Sequence, residues 1–92
     1  MIKTFRCPET QELSLGQRSR RLDNIAAAAR RKLRMLQAAN KLDDLKAPPG
    51  NRLEALVGDR HGQYSIRIND QWRLCFEWRD GDAYNVEIVD YH

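Results

Sequence analysis

The period of apolar positions changes near the middle of the chain. Across 20–39, Leu22, Ile25, Ala29, Leu33 and Leu36 recur at three- and four-residue spacing. That is the stripe of an amphipathic helix that must pack on something. Arg20, Arg30, Arg31 and Arg34 fall on the opposite face, most simply a solvated one. Ser19 is the expected N-cap of this helix, and 42–45 adds one further turn. A shorter helix over 9–15 stops at Gly16, and weak alternation over 2–6 predicts an N-terminal strand. Ala47-Pro48-Pro49-Gly50 breaks any helix.

Beyond that break the period becomes two. A strand is expected over 52–57. Tyr64, Ile66 and Ile68 then alternate with Ser65, Arg67 and Asn69, and Trp72, Leu74, Phe76 and Trp78 alternate with Arg73, Cys75, Glu77 and Arg79. Asp80-Gly81-Asp82 signals a hairpin, and Tyr84, Val86 and Ile88 complete a four-stranded antiparallel meander. The expected fold class is α+β: an N-terminal strand and two or three helices packed on one face of the sheet, in a single domain over 1–92. Parity sends Leu53, Ala55, Val57 and the aliphatic series toward the helices. It leaves Arg52, Glu54, Arg67, Arg73, Glu77 and Glu87 on an open face. Asp90 and His92 continue the core-facing series, so a bulge or strand end is expected near Val89.

Charge sharpens the picture. Residues 1–46 carry eleven Lys/Arg against five Asp/Glu, whereas 47–92 carry five arginines and no lysine against eight acids. Arginine's planar fork suits phosphate, which favours a nucleic-acid partner. Cys7 and Cys75 are far apart and, with His61 and His92, offer none of the close ligand pairs of a zinc site. No metal or other cofactor is expected, and the cysteines read as reduced thiols of a cytoplasmic protein. No apolar run has membrane-spanning length.

The final Asp90-Tyr91-His92 brings an acid, an aromatic ring and an imidazole together after a strand pattern. Those groups, beside arginines, are the parts of a metal-independent RNA-cleaving site. Candidate catalytic residues are His92 for proton transfer, Asp90 to orient it or act as base, and Tyr91 to stack on a base or bond phosphate. Arg73 is the candidate phosphate clamp. Arg67 and Arg52 share its face, and Arg60 and His61 in the Gly58–Gly62 loop are candidate backbone contacts.

Gly58-Asp59-Arg60, Tyr64-Ser65-Ile66, Gln71-Trp72-Arg73, Phe76, Gly81-Asp82-Ala83-Tyr84 and Asp90-Tyr91-His92 are motifs of this chain. In that order they resemble the HigB-type toxins of the RelE superfamily, from type II toxin–antitoxin systems. Met1-Ile2-Lys3 and the Pro-Pro-Gly-Asn-Arg-Leu run at 48–53 resemble the GraT-like subgroup. The resemblance implies a RelE-like microbial RNase-type fold and cleavage of mRNA at the ribosomal A site. It also implies neutralisation by a HigA-type helix-turn-helix antitoxin that binds operator DNA. This chain has Glu54 and Val57 where some relatives carry a histidine and a lysine, which makes Glu54 a candidate base in place of imidazole. Two other functions compete: a non-enzymatic, gyrase-inhibitor-like toxin, and a transcriptional co-repressor acting with its antitoxin.

Overall fold

The computed structural model describes residues 1–90. Helix α1 spans Pro8–Ser14 and α2 spans Ala26–Ala38, and four strands follow: β1 Glu54–Ala55, β2 Gln63–Arg67, β3 Trp72–Arg79 and β4 Asp82–Asp90. The strands form one antiparallel sheet in sequence order. The helices cover one face of it. Leu22, Ile25, Ala29, Leu33 and Leu36 are all buried, together with Leu13 of α1 and Ile66, Ile68, Trp72, Leu74, Phe76, Val86 and Ile88 of the sheet. Each large aliphatic or aromatic side chain removed from water there contributes about 1.5–3 kcal/mol before its entropy cost.

The helical region begins later than the stripe suggests. Residues Asp23–Ile25 form a 3-10 turn, and the α-helix proper starts at Ala26. Ser19 caps nothing; it is buried and its hydroxyl donates to Glu9 Oε2 at 3.0 Å. Arg30 leaves the solvated face as well. It donates to the carbonyls of Leu13 and Gln17 at 3.2 and 2.9 Å, tying the C-terminal end of α1 to α2. Carbonyls at a helix end lack intrahelical partners and favour such a cation. Gly16, at φ +84, closes α1 as expected.

Three expectations about the sheet are corrected. The N-terminal strand exists only as two isolated parallel bridges to β4, Ile2 with Ala83 and Phe5 with Val86. Between them the amide of Asn85 donates to Thr4 Oγ1 at 2.7 Å rather than to a backbone carbonyl, which interrupts the ladder. The bulge lies at Asn85, not near Val89. Cys75 pairs with Glu87 but Glu77 with Tyr84, and Asn85 takes φ +52. The extra residue resets parity. Ala83, rather than Tyr84, therefore joins the core, and Tyr84 lies under the Arg79 guanidinium at 4.2 Å. Finally, β1 lasts two residues. Leu53 packs against the core as expected, but Ala55 is exposed and Val57 is 82% exposed, while Leu56 is buried outside the main core.

Candidate active site

On the side of the sheet away from the helices, register aligns Glu54, Ser65, Cys75 and Glu87 in one row across four strands. Arg67, Arg73 and Val89 form the next row. This face is not simply solvated. Arg73 is only 8% exposed, Ser65 and Cys75 are fully buried, and Leu56 is buried on the same side, apart from the main core.

Arg73 is fixed by several acceptors. Its Nε donates to Ser65 Oγ at 2.7 Å, and a terminal nitrogen donates to the Arg52 carbonyl oxygen at 2.7 Å and more weakly to the Ser65 carbonyl at 3.4 Å. The other terminal nitrogen lies 3.9 Å from Glu54 Oε1. A buried guanidinium needs such partners, since an unsatisfied charge is costly to remove from water. Ser65, Arg52 O and Glu54 come from three segments, so the fork is held in one orientation. Arg52 reaches its place through a left-handed backbone, φ +47, after the 3-10 turn Pro49–Asn51. Asn51 anchors that turn. It is fully buried, donates to the carbonyls of Leu45 and Ala47 at 3.1 and 3.3 Å, and accepts from Lys32 Nζ.

The other candidates sit around this centre. Arg67 stands opposite Arg73 in register and bonds Asp70. Arg60 reaches in from the loop, 2.8 Å from Glu87 Oε1 and 3.1 Å from Gln63 Oε1, and Arg6 lies 3.6 Å from the same glutamate. His61 is exposed in that loop. Asp90 is separated from the group. It pairs in register with Trp72, whose side chain enters the core, while its neighbour Val89 pairs with Arg73. Register partners share a face, so Asp90 lies at the helix-side end of the sheet, where it accepts from Gln71 Nε2 at 3.2 Å. Tyr91 and His92 lie outside the described residues.

Sequence reasoning singled out neither Ser65 nor Asn51, and it assigned Glu87 no role beyond its face. Glu87 carried a signal, being a lone acid between Val86 and Ile88. Ser65 and Asn51 stood within motifs that carry the resemblance, but nothing local tells a buried hydroxyl or amide from an exposed one. Burial also pushes the Cys75 thiol up from its ordinary value, opposed in part by the charge of Arg60 and aided by that of Glu87. Among the described residues, no group of three or more His, Cys, Asp or Glu side chains is placed to hold a metal ion. No helix among them is long and apolar enough to cross a membrane.

The arrangement can hold an anion at a buried, oriented guanidinium with a carboxylate alongside. Comparison with known proteins gives this chemistry a context. In fold, the chain is similar to YafQ from E. coli strain BL21(DE3), with a TM-score of 0.67 at 13% identity over 98% of this chain and 93% of that one. In sequence, it is 52% identical over 65 residues to Toxin HigB-1 of Vibrio cholerae serotype O1, covering 71% of this chain and 68% of that one. It is 44% identical over 41 residues to Endoribonuclease HigB of Proteus vulgaris, covering 45% of each. Residues 4–92 match the HigB-like toxin family, and the chain therefore belongs to the RelE-like toxins of the type II toxin–antitoxin system HigB.

Proposed function

We propose that this toxin is an endoribonuclease that cuts mRNA in the A site of translating ribosomes, without a metal. The observation that carries the reading is the Arg73 guanidinium, buried at 8% exposure and oriented by Ser65 and the Arg52 carbonyl, with the Glu54 carboxylate 3.9 Å away. A cation fixed before the reaction begins stabilises charge on a phosphorane without reorganising. A relative from Proteus vulgaris is named as an endoribonuclease, which supports the same reading.

In the proposed reaction the ribose 2′-oxygen attacks the adjacent phosphorus and its proton passes to a base. The P–O5′ bond breaks, and an acid protonates the leaving 5′-oxygen. The products are a 2′,3′-cyclic phosphate and a 5′-hydroxyl. Glu54, beside the clamp, is the base in this scheme, and His92 is the acid, since an imidazole titrates near neutral pH. Asp90 acts at the sheet end by orienting His92, and Tyr91 stacks on or bonds the RNA. Arg67, Arg60, Arg52 and His61 contact the backbone.

The protein acts in the cytoplasm as a single domain, and a HigA-type helix-turn-helix antitoxin neutralises it and carries it to operator DNA. The test is cleavage mapping on purified translating ribosomes. Intact protein should leave 5′-hydroxyl ends at the A site, and the Glu54→Gln variant and a truncation lacking Tyr91 and His92 should not. Absence of cuts by well-folded intact protein would overturn the nuclease reading in favour of a non-enzymatic toxin.

A further inference from the structure

Two cations from different elements are held on consecutive residues of one turn. Lys32 Nζ, from the middle of α2, donates to Asn51 Oδ1, and Arg73 donates to the carbonyl oxygen of Arg52 at 2.7 Å. Arg67 stands opposite Arg73 in the β2–β3 register, and the Arg52 residue is exposed at the end of the same turn. Residues 51 and 52 of this turn therefore link Lys32 on α2 to Arg73 on the sheet face away from the helices, with Arg67 beside Arg73. Lys32 donates to an amide oxygen, and Arg73 donates to two carbonyls and a hydroxyl. Among the described residues, Asp70 on Arg67, almost wholly exposed, and Glu54 at 3.9 Å from Arg73 are carboxylates nearby. Cations brought close to one turn make a field that attracts anions. Burial first, and then the charges of Arg31 and Arg67, hold the Lys32 ammonium below the usual lysine value.

An ammonium has three donors, and Asn51 occupies one. A chain of regularly spaced anions suits cations distributed along a path better than one carboxylate does. We infer that Lys32 is a positioning residue for RNA, holding a backbone phosphate that flanks the one at Arg73, so that the strand leaves the sheet across the Pro49–Asn51 turn toward α2. This inference rests on RNA being the substrate. It extends the site from the sheet, where arginines alone mark it, onto the helix that sequence reasoning treated as a packing element.

The experiment uses the full chain and a short fluorescein-labelled single-stranded RNA with 2′-O-methyl riboses, which binds without being cut. Affinity is measured by anisotropy across salt concentrations for the wild type, Lys32→Gln and Lys32→Arg. Lys32→Gln should bind roughly three- to tenfold more weakly. Its log–log salt dependence should be shallower by about 0.7, the value for one phosphate contact on a single strand. Lys32→Arg should restore both. Should Lys32→Gln not fold, amine acetylation of the wild type gives the same answer. RNA should protect Lys32 and leave Lys3, Lys41 and Lys46 reactive.

Wild-type affinity and slope in folded Lys32→Gln, or no protection of Lys32, would overturn the inference. So would loss of antitoxin binding with RNA binding intact, which would assign the cluster to an acidic polypeptide. Because this RNA cannot be cleaved, its binding is read separately from ribosomal cleavage. Lys32-dependent binding without mRNA cuts would sink the nuclease reading alone, whereas mRNA cuts without Lys32-dependent binding would sink only this inference.

Discussion

Arg73 Nε donates to Ser65 Oγ at 2.7 Å between neighbouring strands, and both residues are buried. The hydroxyl is a neutral acceptor that turns the guanidinium without cancelling its charge. Ser65→Ala leaves a charged donor short of a partner and should lower stability by about 1–3 kcal/mol in urea denaturation. Arg73→Lys keeps the charge but loses the fork. It should reduce ribosomal cleavage by about 10²-fold with the fold retained by circular dichroism. Unimpaired cleavage by Arg73→Lys would contradict the clamp role.

Asn51 supports the same guanidinium from one residue away. Asn51→Leu removes the acceptor of Lys32 and frees the carbonyls of Leu45 and Ala47. We expect a loss of about 1–3 kcal/mol. Hydrogen exchange should show increased amide exposure across 45–53, with α2 less affected. A uniform change throughout the chain would argue against a local anchor.

The bulge is tested at Asn85. Its φ of +52 suits Asn or Gly but is strained for a β-branched residue. Asn85→Val should lose at least about 1–2 kcal/mol in thermal or urea melts, since it also removes the 2.8 Å bond to Glu77. Asn85→Gly keeps the backbone and should cost less. Equal losses would show that the side-chain bond, and not the backbone, matters at this position.

The two thiols should react differently. Cys75 is buried with its thiol pushed up by desolvation, whereas Cys7 is half-buried. The thiolate is the nucleophile. Iodoacetamide at mildly alkaline pH should therefore label Cys7 first in native protein and both cysteines in denaturant, as read by mass spectrometry.

Glu9 gives a pH dependence with a defined sign. Hydrogen bonds from Arg21 and Ser19 hold its carboxyl below 4.5, the ordinary value. The folded state thus favours the ionised form. The stabilisation is fully present above about pH 4.5 and is lost as pH falls through the lowered folded value. The stability gap between the wild type and Glu9→Gln should be constant at neutral pH and close under acid. A gap that widened on acidification would reverse the assignment.

Much of this molecule is written locally. The spacing of Leu22, Ile25, Ala29, Leu33 and Leu36 identified the buried side of the helix, because a helix of 3.6 residues per turn admits one such stripe. Alternation from Tyr64 to Trp78 likewise identified β2, β3 and the residues they send toward the helices, and Asp80-Gly81 made the hairpin with both residues at positive φ. The ordered motifs also identified the family that the match over 4–92 shows.

Tertiary structure decided what lies beyond the reach of periodicity. The extra residue at Asn85 moved Tyr84 out of the core, and β1 ended after Ala55, leaving Val57 exposed and Leu56 buried apart from the main core. Arg73 became a buried, oriented cation because Ser65 and Arg52, eight and twenty-one positions away, converge on it. Asp90 was set on the opposite side from Arg73 by its register with Trp72. A repeating pattern reports which way a side chain points within its own element. The environment that receives it depends on distant segments that meet only when the chain folds.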